Sequence, residues 1–255
     1  RGMFEHVEGI ESCVRELLGV DRVVVRADKK VEEIEGFRAF DRRAADVECE
    51  IFEHDLRFRV QCSRGHKTGF FVDQREARRE VAQLARGRHV LDLCCYTGGC
   101  SLAAARGGAK SVRGVDLDEE AIAVARENGR LNSLDVSFEH ADAFDTLRAG
   151  ARADLIVLDP PKLASSPREL GRARAKSIDF NALALEALQP GGLLLTFSCT
   201  GLFSSEDFLH HLREASVRAG RPARVLRVTG QPPDHPVHLD CPEGRYLTGV
   251  LLEVP

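Results

Sequence analysis

From about residue 66 to its end, the chain alternates apolar runs with amphipathic helical patterns, and this alternation constrains the fold more than any other feature. The apolar runs are rich in valine, leucine and isoleucine and occupy residues 89–95, 111–117, 136–142, 153–161 and 191–200. One of the helical patterns, at 118–132, opens with acidic residues, which suit the positive end of a helix. Strands that alternate with helices form parallel sheets, because the chain must cross back before each new strand. The sequence therefore predicts an α/β fold with a doubly wound, mostly parallel sheet.

The N-terminal part of the chain follows a different pattern. A helical pattern comes first, and in residues 47–62 apolar and polar side chains then alternate around a turn at residues 54–55, as they do in a β-hairpin. We therefore predict two domains. A small α+β domain, with a role in contacting RNA, is expected over residues 1–65, and the α/β domain over residues 66–255.

The composition excludes several classes of protein. The 255 residues contain no apolar run long enough for a transmembrane helix, and the sequence does not open with a signal peptide. Eight cysteines are too few for a disulfide scaffold in a chain of this length, and they lack the paired spacing of a zinc site. We therefore expect a reduced cytoplasmic protein with no membrane partner and no bound metal.

Basic side chains are concentrated in two segments, although the net charge of the chain is −4. Residues 57–89 hold nine Arg and Lys against three acids, a local charge of +6. Residues 162–176 hold five against one, a local charge of +4, so the rest of the chain carries −14. This asymmetry is typical of a face that binds phosphates, and also of helix surfaces whose charges are paired. Charge alone does not decide between the two interpretations.

Acidic residues end three successive predicted strands, at the edge where doubly wound sheets bind their ligands. Asp92 suits a cationic ligand group, Asp116 suits the two hydroxyls of a ribose, and Asp142 suits the edge of an adenine ring. A glycine-containing turn, "YTGG" at 96–99, follows the first strand but lacks the G-x-G-x-x-G spacing of a dinucleotide-binding fingerprint. The pattern therefore predicts S-adenosylmethionine as cofactor rather than NAD.

Two chemically distinctive residues end the next two predicted strands. Asp159 lies in "LDPPK" at 158–162, whose prolines stiffen the exit from the strand, and methyltransferases that act on planar nitrogen heterocycles place such an element beside the target ring. Cys199 lies in "LLLTFSCTG" at 193–201. Because a cysteine is often only a small buried hydrophobe, its position alone leaves both a packing role and a nucleophilic role open.

Five motifs carry a resemblance to a known family. They are "GHKTGFFVDQREAR" (65–78), "LDLCCYTGG" (91–99), "VLDPPK" (157–162), "LLTFSCTG" (194–201) and "DHPVHLDCPEGRYLTG" (234–249). Together they resemble the bacterial large-subunit ribosomal RNA cytosine-5 methyltransferase family over residues 45–255. The resemblance implies the class I methyltransferase fold, with a Rossmann-like sheet of seven strands. No stretch resembles the N-terminal RNA-binding PUA domain that this family carries.

The resemblance also implies a chemistry: methyl transfer from S-adenosylmethionine to C5 of a cytosine in ribosomal RNA. C5 is a poor nucleophile, and a thiolate that adds to C6 makes it reactive. Cys199 would be this nucleophile, and Asp159 would orient and protonate the ring. The candidate cofactor site combines the strand-end acids with neighbouring motif residues, namely Gln74, Asp92, Cys94, Tyr96, Thr97, Gly98, Gly99, Asp116, Leu117, Asp142, Ala143 and Asp159.

The sequence leaves several points open. Lys162 stands where some RNA cytosine-5 methyltransferases keep a second cysteine, so the base that removes the C5 proton is unassigned, with Glu243 and His235 as candidates. One alternative function is methylation of a base nitrogen, such as guanine N7, with Cys199 merely buried. Another is a catalytically idle RNA-binding assembly factor. Large-subunit ribosomal RNA is the expected partner, and the oligomeric state, a homodimer included, is left open.

Overall fold

The computed structural model describes residues 2–27, 29–38, 47–62 and 69–255. The chain divides into two compact units, one formed by residues 1–51 with 59–71 and the other by residues 52–58 with 72–255. The predicted domain boundary at residue 65 falls outside the described residues and stays a prediction. Residues 65–68 of the first family motif also lie outside the described residues. In the described parts of the chain, no helix is long and apolar enough to cross a membrane.

The part of the N-terminal region that the structure describes holds three helices and a hairpin. The helices are α1 (Gly2–Glu5), α2 (Val7–Leu18) and α3 (Lys29–Glu35), and the hairpin strands are β1 (Glu48–Glu53) and β2 (Leu56–Gln61). Helix α2 ends at Gly19, which adopts a left-handed conformation and donates its N–H to the Arg15 carbonyl. The hairpin predicted at 47–62 is confirmed, and its tip, Phe52–Phe58, belongs to the larger unit.

The larger unit is built on a seven-stranded sheet. Its elements are α4 (Arg75–Leu84), β3 (His89–Leu93), α5 (Gly99–Arg106), β4 (Ser111–Asp116), α6 (Glu119–Leu131), β5 (Ser137–His140), α7 (Ala143–Arg148), β6 (Ala153–Leu158), α8 (Leu170–Ala187), β7 (Leu188–Ser198), α9 (Ser205–Ala219), β8 (Arg224–Thr229) and β9 (Thr248–Glu253). The strand order is β5-β4-β3-β6-β7-β9-β8, and β9 runs antiparallel to both of its neighbours. The predicted doubly wound, mostly parallel sheet is confirmed.

The central strands are apolar because both faces of the sheet are covered. In β6 the side chains of residues 155–158 are fully buried and alternate between two hydrophobic clusters. One cluster includes residues from α8 and α9, and the other includes residues from α4 and α5. Helices therefore pack on both sides of the sheet, and the carboxyl ends of its strands are left as the edge where side chains can meet a ligand.

The chain reverses its direction of travel across the sheet at β3. From β3 it proceeds outward to β4 and β5, and it then crosses back to place β6 and β7 on the other side. The register sets Leu93 of β3 beside Leu158 of β6, and Leu158 beside Thr196 of β7. A crevice forms outside the strands where the order reverses, and ligands of doubly wound sheets bind there.

Candidate active site

The turn that follows β3 has an unusual backbone. Cys94 and Tyr96 have positive φ angles of 62° and 49°, and Gly98 has a φ of 84°. Two hydrogen bonds hold this path in place: the Cys95 N–H donates to the Val115 carbonyl at 3.0 Å, and the Tyr96 N–H donates to Asp116 Oδ2 at 2.7 Å. Left-handed non-glycine residues cost energy and cluster at ligand sites, so this turn marks a candidate site independently of its sequence motif.

The two glycines of the turn have no room for a side chain. A Cβ atom on Gly98 would lie 2.7 Å from Phe138 Cζ, and one on Gly99 would lie 2.9 Å from Arg78 Cδ. Gly99 is also the first residue of α5, where backbone N–H groups lack partners within the helix. The turn therefore brings bare backbone and a helix start to the edge of the sheet.

Asp92, predicted to face a cationic ligand group, is only 2% exposed. Ser101 Oγ donates a hydrogen bond of 2.6 Å to its Oδ2 and so ties β3 to the first turn of α5. Burial away from water raises the pKa of Asp92 to about 6, against the lowering effect of the hydrogen bonds from Ser101. The structure thus gives Asp92 a partner inside the protein, and a direct effect of its charge on a ligand stays a prediction.

The raised pKa of Asp92 predicts a pH-dependent stability. Between about pH 4 and pH 6 the folded state binds this proton more tightly than the unfolded state, so stability falls as pH rises through that window. Between pH values well below 4 and well above 6, this one group should lower the free energy of unfolding by about 3 kcal/mol in total. In guanidinium unfolding, the free energy of unfolding at pH 8 minus that at pH 4.5 should be about 2 kcal/mol more positive for Asp92→Asn than for wild type, with the exposed Asp135→Asn as control. An unchanged pH dependence in Asp92→Asn would contradict the expected role of burial.

The other two strand-end acids also bind backbone groups. Asp116 Oδ1 accepts the Asp118 N–H at 2.9 Å, and since each carboxylate oxygen has two lone pairs, both oxygens keep capacity to accept ribose hydroxyls. Leu117 beside it is 67% exposed, which suits contact with a flat apolar ring. Asp142 caps α7 by accepting the Asp145 N–H at 3.0 Å. Its predicted contact with adenine stays a prediction, as does a cofactor contact of Ala143.

Asp159 and Cys199 come directly after β6 and β7, which are neighbouring parallel strands as predicted. Cys199 Sγ lies 3.7 Å from the Pro160 carbonyl oxygen and donates a weak hydrogen bond to it. In the next position, Thr200 Oγ1 accepts the Leu163 N–H at 3.1 Å. The two loops are thus joined to each other, and the thiol is held beside the loop that begins with Asp159.

Gln74, predicted to border the cofactor or the RNA, contacts Asp159. Its Nε2 donates a hydrogen bond of 2.8 Å to Asp159 Oδ2. The side chain is buried, and in the described part of the chain its Oε1 atom has no hydrogen-bond partner. Because the Gln74 amide is buried and donates to Asp159, it restricts the rotation of the Asp159 carboxylate. The contact with Asp159 therefore favours a positioning role, and a direct cofactor contact stays a prediction.

Sequence reasoning missed two residues beside this centre. Tyr246 Oη donates a hydrogen bond of 2.7 Å to Asp73 Oδ2, and Asp73 is only 8% exposed. Burial, together with the hydrogen bond to Asp73, raises the pKa of Tyr246 well above its usual value. Both residues stand inside motifs quoted for the family resemblance, but they are 173 residues apart, so no local pattern joins them.

The two candidate bases lie in the segment that precedes β9. Glu243 is exposed, on a short 3₁₀ helix at residues 242–244. The Nδ1 atom of His235 lies 3.4 Å from Asp234 Oδ1. These positions assign neither residue to proton removal, and both stay predictions.

In the basic segment at 57–89, several of the side chains that the structure describes are paired with acids, as in the second of the two interpretations of its charge. Arg78 is 4% exposed, and its guanidinium pairs with Glu53 through a hydrogen bond of 2.6 Å from Nη2 to Oε2. Arg75 pairs with Asp234 at 3.1 Å. For Arg78 the structure excludes a phosphate-binding role at the surface, because its guanidinium is buried and paired with a carboxylate. Arg64 and Lys67 lie outside the described residues.

The second basic segment keeps more of its charge at the surface. Arg174 pairs with Glu214, and the Lys176 ammonium lies over the Phe144 ring at 5.7 Å from its centroid. The exposed basic side chains of the segment also include Lys162, Arg168 and Arg172. In the described ranges, no group of three or more His, Cys, Asp and Glu side chains could hold a metal ion.

A seven-stranded sheet of this order, with a glycine turn after its first strand and acids at successive strand ends, defines a class I methyltransferase. The profile of the S-adenosylmethionine-dependent methyltransferase family matches residues 42–244. The chain belongs to this family, and S-adenosylmethionine is its cofactor.

Three known proteins are similar to this chain in sequence or in structure. The ribosomal RNA large subunit methyltransferase I of Aeromonas hydrophila is 44% identical over 200 residues, which cover 76% of this chain and 50% of that protein. The protein of the same name from Tolumonas auensis is 43% identical over 204 residues, which cover 77% and 51%. Among solved structures, that of SMU.776, assigned as a methyltransferase and complexed with SAH, has a sequence identity of 26% and a TM-score of 0.73 to this chain. The match covers 83% of this chain and 57% of that one. The chain thus spans about half the length of these curated relatives.

The residues at the sheet edge fit S-adenosylmethionine. The start of α5 at Gly99 offers a ligand backbone N–H groups that lack partners within the helix. The carboxylates of Asp116 and Asp142 suit hydroxyl and amino donors, and exposed Leu117 suits the adenine face. These residues could hold the cofactor, which would supply a methyl group at this edge of the sheet.

Proposed function

We propose that this chain transfers a methyl group to C5 of a cytosine in large-subunit ribosomal RNA. The observation that carries the proposal is the thiol of Cys199, held 3.7 Å from the Pro160 carbonyl in the loop that Asp159 begins. Methylation of a base nitrogen needs no thiol, because nitrogen lone pairs are nucleophilic, whereas a pyrimidine carbon must first be activated. The relatives from Aeromonas hydrophila and Tolumonas auensis, named ribosomal RNA large subunit methyltransferase I, support the RNA substrate.

In the first step, the Cys199 thiolate forms a bond to C6 of the cytosine. The electron pair of the C5–C6 double bond moves into the ring, and N3 takes up a proton. Asp159 would supply that proton, and the hydrogen bond from Gln74 Nε2 to Asp159 Oδ2 keeps the carboxyl group in one orientation. The ring then behaves as an enamine with electron density at C5.

S-adenosylmethionine, when bound, would supply a methyl group on a positively charged sulfur; C5 takes up this methyl group with its electron pair, while the sulfur–methyl bond breaks and S-adenosylhomocysteine is left. A base then removes the proton from C5, and the freed electron pair restores the double bond between C5 and C6. The bond from C6 to Cys199 breaks in the same step, so the thiolate is regenerated. N3 returns its proton to Asp159, which completes the cycle.

The loop and helix that follow Asp159 also carry the charges that an RNA substrate requires. Lys162, Arg168 and Arg172 are exposed within this one stretch of the chain. Phosphate contacts of this kind fix the register of a nucleic acid without reading its sequence. We therefore propose that this surface holds the RNA backbone near the candidate active site.

The product of the reaction tests this function. The purified chain is incubated with methyl-tritiated S-adenosylmethionine and a transcript of large-subunit ribosomal RNA, and the digested nucleosides are separated by chromatography. We expect label in 5-methylcytidine, and much less of it when a small-subunit transcript serves as control. Label in 7-methylguanosine would support base-nitrogen chemistry instead. RNA binding without binding of S-adenosylhomocysteine would indicate an idle assembly factor.

A further inference from the structure

The proposed reaction leaves the C5 proton without an acceptor, and stereochemistry limits where that acceptor can lie. In this mechanism the thiol and the methyl donor approach the flat cytosine ring from opposite faces, because two groups of this size on adjacent ring atoms would collide on one face. Once the methyl group is on C5, the C5 hydrogen is therefore on the same face as the thiol. The base must lie on the side of the ring that Cys199 occupies.

Tyr246 lies beside Cys199. It precedes β9, which pairs antiparallel with β7 so that Thr248 stands opposite Ser198. The side chains of Tyr246 and Cys199 pack against the same cluster of buried residues. A Cβ atom on Gly201, two positions after Cys199, would lie 3.9 Å from the Tyr246 Cβ. The register and the packing thus bring a phenol to the side of the thiol.

The phenol of Tyr246 is coupled to a buried carboxylate. Its Oη donates to Asp73 Oδ2 at 2.7 Å. Burial and this hydrogen bond raise the pKa of Tyr246 still further above neutral pH, so the phenol is protonated when the reaction begins. A protonated phenol accepts a further proton on its oxygen only if it gives its own proton away at the same time. Asp73 is placed to receive it.

We propose that Tyr246 Oη takes the C5 proton while it passes its own proton to Asp73, whose carboxylate is the final acceptor. The electron pair of the C5–H bond re-forms the double bond to C6, and the bond from C6 to Cys199 Sγ breaks. Asp73 then releases the proton to solvent, so no oxidant or other reactant is needed. This inference rests on the proposed cytosine-5 chemistry and completes its last step.

The position of Asp73 in the chain supports this assignment. Asp73 and Gln74 are adjacent in a short 3₁₀ helix at Val72–Gln74, and Gln74 holds Asp159. One turn of backbone therefore fixes both the group that protonates N3 and the group that receives the C5 proton. The next residue, Arg75, anchors this turn through its ion pair with Asp234. The "VDQR" string thus ties the segments before β9 to the loop after β6.

Release of tritium from C5 tests the relay separately from methyl transfer. The substrate is a large-subunit ribosomal RNA transcript labelled with tritium at C5 of cytidine. In Tyr246→Phe and in Asp73→Asn, we expect tritium release to slow by about 10²- to 10⁴-fold. Because methyl transfer precedes this step, a methylated covalent complex of RNA and protein should accumulate and survive denaturing electrophoresis. Asp240→Asn, which changes an exposed carboxylate, is the matched control and should release tritium at the wild-type rate.

The outcomes separate this inference from the proposed function. If wild type methylates RNA without releasing tritium, the cytosine-5 chemistry itself is overturned. If wild type releases tritium and both variants match its rate, the relay alone is overturned. Folded variants that lose methyl transfer and form no adduct would also overturn it, because the defect would then lie in an earlier step. If Tyr246→Phe does not fold, Asp73→Asn decides by the same two measurements.

Discussion

Replacing Cys199 with alanine should lower the rate of methyl transfer to large-subunit ribosomal RNA by about 10⁴-fold or more. The reason is that C5 of cytosine becomes nucleophilic only after a thiolate has added to C6, and no other group in the mechanism replaces that bond. Single-turnover transfer from methyl-tritiated S-adenosylmethionine measures the loss. RNA that contains 5-fluorocytidine should trap wild type as a stable adduct, because fluorine at C5 cannot leave as a proton, and it should not trap Cys199→Ala.

Cys241→Ala is the matched control for this experiment, since it removes an exposed thiol from the segment before β9. It should retain both activity and adduct formation. A Cys199→Ala variant with full activity would reduce Cys199 to a packing residue at the end of β7 and would favour methylation of a base nitrogen.

The second large effect is expected for Asp159→Asn, which should lower methyl transfer by about 10²- to 10⁴-fold. An asparagine can still accept the hydrogen bond from Gln74 Nε2, but it has no acidic proton to give to N3 of the ring. Although Asp159 is also a candidate cofactor residue, asparagine keeps its size and its hydrogen-bond acceptor, so calorimetry with S-adenosylhomocysteine should show at most a small loss of cofactor affinity. The loss should appear in the chemical step rather than in binding.

Gln74→Ala provides the comparison for Asp159. It removes a residue that positions the carboxyl group but takes no part in proton transfer, so the loss should be smaller, about 10-fold. Equal losses in the two variants would mean that Asp159 acts by holding the loop in place. Wild-type rates in Asp159→Asn would exclude a proton-transfer role for this residue.

The sheet and its strand-end residues could be predicted because the signals are local. Each strand is a short apolar run, and residues at the carboxyl ends of neighbouring parallel strands must meet at one edge. The sequence pattern therefore predicts that Asp159 and Cys199 lie near each other, and the pairing of β6 with β7 confirms that they follow neighbouring strands.

The contacts that organise the site could not be predicted in the same way. Gln74 and Asp159 are 85 residues apart, and Asp73 and Tyr246 are 173 apart, so only the folded chain joins them. The positive φ angle of Cys94 has no signal in the sequence either, because turns of this kind usually use glycine. Local patterns identify which residues reach the edge of the sheet, whereas long-range pairing decides how they are held.

Arg78 illustrates the limit of reasoning from charge. In the sequence it adds to a basic segment, and nothing marks it as different from Arg79 beside it. In the structure it is buried against Glu53, whereas the side chain of Arg79 is 63% exposed. A count of charges cannot distinguish a guanidinium that binds phosphate from one that neutralises a carboxylate inside the protein.

The tip of the hairpin determines where a catalytic fragment of this protein can begin. Residues 52–58 belong to the larger unit, where Phe58 is fully buried and Glu53 neutralises Arg78. A fragment cut at residue 65 would lose this apolar side chain and leave a guanidinium charge in the interior without its counter-ion. Expression trials and limited proteolysis should therefore recover a stable methyltransferase fragment only when its first residue precedes β1.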